Sequence, residues 1–165
     1  MKAIFHADNK WGIGKANGLM FNLPRDMKFF RETTTGKVVV MGLNTLNSLP
    51  NGQPLKNRVN IVLSPETVKK DVITVHSLEE LFKEVKKYPP DDVFVIGGAS
   101  VYKTLLPYCT HALVTKVAAD GGAEVFVPNL DTAENFRLVE QSEQTEDNGY
   151  LITFCTYENK KPLSI

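Results

Sequence analysis

Four short segments hold the residue types that can do chemistry. Asp26 stands in Leu23-Pro24-Arg25-Asp26-Met27-Lys28-Phe29-Phe30, within the first turn of a helix whose start the proline marks. An acid there commonly does no more than complement the helix dipole. Its neighbours admit a second reading. Phe30 shares its face one turn on, Met27 and Phe29 flank it, and a carboxylate on an apolar wall needs a specific partner. The second segment is Val95-Ile96-Gly97-Gly98-Ala99-Ser100-Val101-Tyr102, an apolar strand ending in two glycines with a helix starting at once. Such glycines allow close approach by a ligand, and the amides that follow can meet an anion; a plain tight turn would use glycines too. The third, Gly42-Leu43-Asn44-Thr45 after the strand Val38–Met41, repeats the arrangement. Two such turns in one sheet predict a ligand with more than one phosphate, a dinucleotide, although no G-x-G-x-x-G follows a strand. The fourth is the glycine-punctuated loop from Trp11 to Phe21, which feeds the Asp26 helix and has the length of a functional loop.

The elements that must position these segments follow from pattern. Strands are predicted at residues 2–7, Val38–Met41, Arg58–Leu63, Val72–Val75, Val93–Ile96, Ala112–Val117, Phe136–Gln141 and Tyr150–Tyr157. Val93–Ile96 is apolar throughout, as in a strand covered on both faces, whereas the last two alternate, as in an antiparallel pair near an edge. Helices are predicted from Pro24 to about Thr34, from near Asn44, over Ser77–Lys87 with Ser77 and Glu80 as a capping box, and from Ala99 to Leu106. Alternating strands and helices through residue 106 predict an α/β sheet with helices on both faces, whose ligands bind beyond the carboxyl ends of the strands.

Composition sets the limits. The chain has 165 residues, 42% of them apolar, with 19 Lys+Arg against 19 Asp+Glu. That length suits one domain, and a zero formal charge argues against nucleic acid or an anionic membrane gripped by bulk electrostatics. Cys109 and Cys155 form no CxxC pair and have no spaced His partner, so no metal is expected; they read as two reduced core thiols, with a disulfide as the alternative. The opening apolar run is too short for a signal peptide and no stretch suits a membrane helix, so a cytoplasmic protein is expected.

Taken in order, Trp-Gly-Ile-Gly, Leu-Pro-x-Asp-Met-x-Phe-Phe, Val-Val-Met-Gly, Arg-x-Asn-Ile-Val-Leu-Ser, Val-Ile-Gly-Gly-Ala-x-Val-Tyr, Val-Thr-Lys-Val and a terminal Tyr-Leu-Ile-Thr-Phe resemble dihydrofolate reductase over nearly the whole chain. The resemblance implies a single domain over residues 1–165. Its core would be a mostly parallel eight-stranded sheet with an antiparallel C-terminal strand and about four flanking helices. It implies reduction of dihydrofolate to tetrahydrofolate by NADPH, in support of one-carbon metabolism, by a monomer open to antifolate inhibitors. Asp26 would accept the pterin 2-amino and N3 side, with Thr115 bonding the same carboxylate and a water protonating N5. Phe5, His6, Met27, Phe30, Leu49, Leu55 and Ile96 would wall the substrate, and Arg58 would clamp its α-carboxylate. On the cofactor side, Gly97 and Gly98 would be joined by a cis peptide, amides from Gly98 through Ala99, Ser100 and Val101 to Tyr102 would meet the pyrophosphate, and Gly42, Leu43, Asn44 and Thr45 a second phosphate contact. His6 and Ile96 would adjoin the nicotinamide, with Leu63, Ser64 and His76 near the adenosine end. Ile13, Gly14, Asn17 and Leu19 belong to the lid.

The chain departs from the family pattern at four places. Phe21 stands where Trp is usual and lacks its indole donor. Phe5-His6 replaces two small residues, with His6 presenting either its backbone alone or a bulkier wall. Leu43 replaces a phosphate-binding Arg, and Ser100 a residue that is sometimes basic. Weaker discrimination of NADPH over NADH is therefore expected. The competing readings are a pyrimidine reductase of the riboflavin pathway, which lacks the Leu-Pro-x-Asp helix start, and a pterin- or nucleotide-binding protein that no longer turns over.

Overall fold

Side-chain alternation along each strand decides which helix it meets. The chain runs β1 (Lys2–Ala7), β2 (Gly12–Gly14), α1 (Pro24–Thr34), β3 (Val38–Gly42), α2 (Leu43–Ser48), β4 (Val59–Leu63), β5 (Ile73–Val75) and α3 (Leu78–Val85), then β6 (Val93–Gly97), α4 (Ala99–Leu105), β7 (His111–Val117), β8 (Val125–Phe126), β9 (Phe136–Gln141), β10 (Thr145–Asp147) and β11 (Tyr150–Asn159). These come from a computed structural model that describes residues 1–15 and 20–165. Asn17 and Leu19, expected at the cofactor, lie outside the described residues.

The main sheet has the spatial order β10-β11-β7-β1-β6-β3-β4-β5. Every neighbouring pair from β7 to β5 is parallel, while β11 runs antiparallel to β7. β9 and β10 both pair with β11 on the side away from β7, so two consecutive segments share one edge position. The eight predicted runs are all strands; β2, β8 and β10 are additional short ones. Between β3 and β7 the alternation of strand and helix breaks once: β4 and β5 are parallel neighbours joined by residues 64–72 without a helix.

Val38 and Val40 of β3, Val93 and Val95 of β6, and Ala3 and Phe5 of β1 pack with Leu81 of α3 and Leu105 of α4. The alternate residues, Val39 and Met41, pack with Leu46 of α2. On that same second face, Leu23 at the start of α1 joins Val117 and Ile152, and Phe29 sets its ring 4.9 Å from Phe154. Burying each such aliphatic side chain stabilises the fold by about 1.5–3 kcal/mol. Cys109 and Cys155 are free and buried; burial pushes the Cys109 thiol up to about 12 and raises Cys155 as well. No helix among the described residues is long and apolar enough to cross a membrane.

Two helix starts differ in how they are capped. Ser77 accepts the Glu80 amide at 3.2 Å, as predicted, but the Glu80 carboxylate reaches the amide of His76 at 2.6 Å, one residue earlier than a capping box requires. α1 has no cap of its own, because Leu23 occupies the cap position. Instead Asp147 of β10 accepts the Arg25 amide at 3.1 and 3.0 Å and the Asp26 amide at 3.1 Å. A carboxylate from the far end of the chain thus satisfies the open amides of the turn that carries Asp26.

Candidate active site

Parallel pairing of β1 with β7 sets His6 opposite Thr115, both on the face covered by α1. Thr115, 2% exposed, donates its hydroxyl to Asp26 Oδ1 at 2.6 Å. His6 Nδ1 stands 3.4 Å from the other oxygen, Oδ2. The two acceptors of the carboxylate are therefore approached from two adjacent strands. His6 does not present its backbone alone. The phase of β1 puts Ala3, Phe5 and Ala7 on the opposite face, so Ile4 and His6 must turn toward α1. The same phase corrects the expectation for Phe5. Its ring leaves the Asp26 wall and packs on Tyr102, with centroids 5.0 Å apart.

Phe21 is buried beside this pair, edge-on to Tyr150 at 4.8 Å and to His6 at 6.1 Å. A side-chain atom placed on Gly121 would come within 2.9 Å of both Phe21 and Met20, so that glycine lets the end of the loop close down. Met27 is 56% exposed on α1, with Phe30 half-buried one turn on. Leu49, Leu55 and Ile96 pack on the Val39–Met41–Leu46 cluster of the same side of the sheet. Arg58, just ahead of β4, donates Nη1 to Thr34 Oγ1 at 3.1 Å and Nε to the Lys56 carbonyl at 2.9 Å. Burial, then Arg31, pushes its guanidinium below its ordinary value, yet a group starting above 12 stays charged at neutral pH. Its remaining N–H groups can take a carboxylate.

The carboxyl ends of β3 and β6 open onto a groove of about 620 Å³ whose walls include Gly42, Leu43, Asn44 and Thr45 on one side and Gly98, Ala99, Ser100 and Val101 on the other. The two glycine turns abut. A Cβ on Gly42 would stand 3.1 Å from Val101 Cγ2, and one on Gly98 3.5 Å from Thr45 Oγ1. Gly97 has φ +119° and its Cβ would meet the Tyr102 ring at 3.1 Å, so glycine is required there. The Gly97–Gly98 peptide is cis. Tyr102 is a correction: its amide bonds the Gly98 carbonyl at 2.9 Å and is not free for a phosphate. Its hydroxyl, held protonated as burial pushes the phenol up, donates to the Ile4 carbonyl at 2.8 Å. The amides of Ala99, Ser100 and Val101, in the first turn of α4, have no intrahelical acceptor.

Beyond Leu63 a second hollow of about 320 Å³ is lined by Ser64, Pro65, His76 and Ser77. The Ser64 carbonyl lies 2.9 Å from His76 Nδ1 and can only accept, so that ring nitrogen carries the proton. No Lys or Arg lines either hollow among the described residues. Strand β2 pairs with β8, which brings Gly14, next to Ile13, against Val125 at the groove wall. Asp8, 3% exposed, anchors this turn by accepting the amides of Lys10, Gly12 and Gly121. The sequence reading missed Asp8 and Asp147. Both are buried acids whose partners are backbone amides that no motif marks.

A groove at the strand ends between two glycine turns and, on the same sheet, a carboxylate held by a buried hydroxyl are features of an α/β enzyme that binds a phosphate-bearing ligand. A family model described as dihydrofolate reductase matches residues 1–159, and the chain belongs to that family. It is 35% identical over 161 residues to a dihydrofolate reductase of Bacillus subtilis, covering 95% of this chain and 93% of that one. A dihydrofolate reductase of Haemophilus influenzae is 33% identical, covering 90% and 91%. Among solved structures, the Enterococcus faecalis dihydrofolate reductase complexed with NADP(H) and RAB-propyl superposes with a TM-score of 0.86 at 31% identity, covering 97% of this chain and 96% of that one.

Proposed function

We propose that this protein reduces 7,8-dihydrofolate to 5,6,7,8-tetrahydrofolate with NADPH, acting as a single-domain cytoplasmic monomer in one-carbon metabolism and open to antifolate inhibitors. The observation that carries the reading is the Asp26–Thr115 pair on the helix-covered side of the sheet whose strand ends form the dinucleotide groove. The groove suits the cofactor through two closely abutted glycine turns: a Cβ on Gly42 would stand 3.1 Å from Val101 and one on Gly97 3.1 Å from the Tyr102 ring, so both turns keep bare backbone at the strand ends. NADPH, when bound, supplies the hydride.

The chain's own residues do the rest. Asp26 accepts N–H bonds from the 2-amino and N3 side of the pterin, which fixes the ring in its plane and raises the basicity of N5; a water brings the proton to N5. Thr115 holds the carboxylate in that orientation. Leu49, Leu55, Ile96, Met27 and Phe30 wall the ring system, and Arg58 pairs with the α-carboxylate of the tail. The first-turn amides of α4 and the Gly42–Thr45 turn receive phosphate oxygens. Ser64 and His76 flank the adenosine end, where no guanidinium or ammonium lines the hollow among the described residues, so NADH is tolerated beside NADPH. Met20 and Phe21 help to exclude water from the reacting face.

Purified protein given dihydrofolate and NADPH should consume the two in equal amounts, followed by loss of NADPH absorbance. A protein that leaves dihydrofolate untouched while binding NADPH normally would overturn the reading.

A further inference from the structure

We infer that His6 is a second positioning residue for Asp26, closing with Thr115 a two-donor clamp on its carboxylate; the inference rests on the reductase reading above. Register pairing makes His6 and Thr115 direct neighbours on β1 and β7, and adjacent strands lie about 4.8 Å apart. Two donors at that spacing can straddle the oxygens of one carboxylate. Thr115 reaches Oδ1 at 2.6 Å, and His6 Nδ1 stands 3.4 Å from Oδ2. The second contact is longer than an ordinary N–H···O bond.

The tautomer follows from the surroundings. His6 Nε2 is enclosed and has no partner. A neutral ring with its proton on Nε2 would bury an unpaired donor and turn the Nδ1 lone pair toward the carboxylate. With the proton on Nδ1, one donor finds an acceptor. The Phe21 ring, edge-on at 6.1 Å and itself wedged against Tyr150, limits how far the imidazole can turn away. Phe21 has no donor of its own to offer Asp26. The groups that face the carboxylate are thus a hydroxyl from β7 and an imidazole N–H from β1. Together they fix the plane in which the pterin edge must approach.

The test compares His6→Leu, which fills the space without a donor, with His6→Asn, which keeps an N–H near the place of Nδ1 in a smaller side chain. Read-outs are kcat and KM for dihydrofolate, KM for NADPH, and the calorimetric affinity for a 2,4-diaminopyrimidine without cofactor. The clamp predicts that His6→Leu loses about tenfold in kcat/KM for dihydrofolate and in diaminopyrimidine affinity, while KM for NADPH stays within about twofold. His6→Asn should retain both within about threefold. Equal losses in the two variants, a larger loss in His6→Asn, or no loss in His6→Leu would each overturn the clamp. If His6→Leu does not fold, His6→Ala takes its place with the same expectations. An inactive wild type contradicts the reductase reading alone, since the diaminopyrimidine affinities still rank the variants. A wild type that neither turns over nor binds overturns both.

Discussion

Thr115 gives its proton to Asp26 from a position 2% exposed, so a water cannot take over the bond unless β7 opens. Replacing it with valine keeps the shape and removes the donor. Thr115→Val should therefore cost about tenfold in kcat/KM for dihydrofolate, with KM for NADPH unchanged; steady-state kinetics check this, and an unaltered value refutes the role of the hydroxyl. Leu43 is the opposite case, a missing group. It lines the dinucleotide groove where a cation would meet phosphate. Leu43→Arg should tighten NADPH by about tenfold while leaving NADH within about twofold, measured as Kd for each. Equal tightening of both would place the new charge on the shared pyrophosphate and not on the 2′-phosphate. Asp26 was legible from its apolar neighbours, but Thr115 only through the family resemblance, since a lone β-branched residue in a strand carries no sign of function. The His6 side chain was legible in principle: the alternation Ala3, Phe5, Ala7 settles its face once those three are known to be core.

The α1 helix shows why an element can depend on residues that no local rule identifies. Its start has a proline but no capping side chain, and Asp147 supplies the acceptors from a strand 122 residues away. Removing them leaves two amides of the catalytic turn unsatisfied. Asp147→Ala should lower stability by about 1–2 kcal/mol in urea unfolding, and lower kcat as Asp26 loosens. Asp147→Asn, which keeps one acceptor, should lose less. A stable and fully active alanine variant would remove Asp147 from the account. β2, β8 and β10 are two or three residues long, too short for any periodicity, and exist because tertiary partners pair with them. The eight predicted strands, the three-residue β5 among them, and the Ser77 cap were readable because each rests on residues close in sequence. The caps and ties that fix the site join segments far apart, and a single sequence records no distance between them.

Across the whole molecule the charges balance at zero, yet both proposed ligands are anions. The fold resolves this locally. The first turn of α4 lines the groove, the Gly42 turn lies beside it, and Arg58 stands apart near the end of α1 with N–H groups to spare. No net positive charge is needed for binding. The carboxylate pocket and the groove are then joined through one sheet, β1 and β7 carrying the first and β3 and β6 the second. The claim on which everything else depends is that Asp26 orients the pterin for reduction. The direct measurement is dihydrofolate-dependent NADPH oxidation by wild type and Asp26→Asn, from neutral to acid pH. A loss of about a hundredfold or more at neutral pH is predicted, partly recovered in acid where the substrate arrives already protonated. An Asp26→Asn enzyme as active as wild type at neutral pH would contradict it.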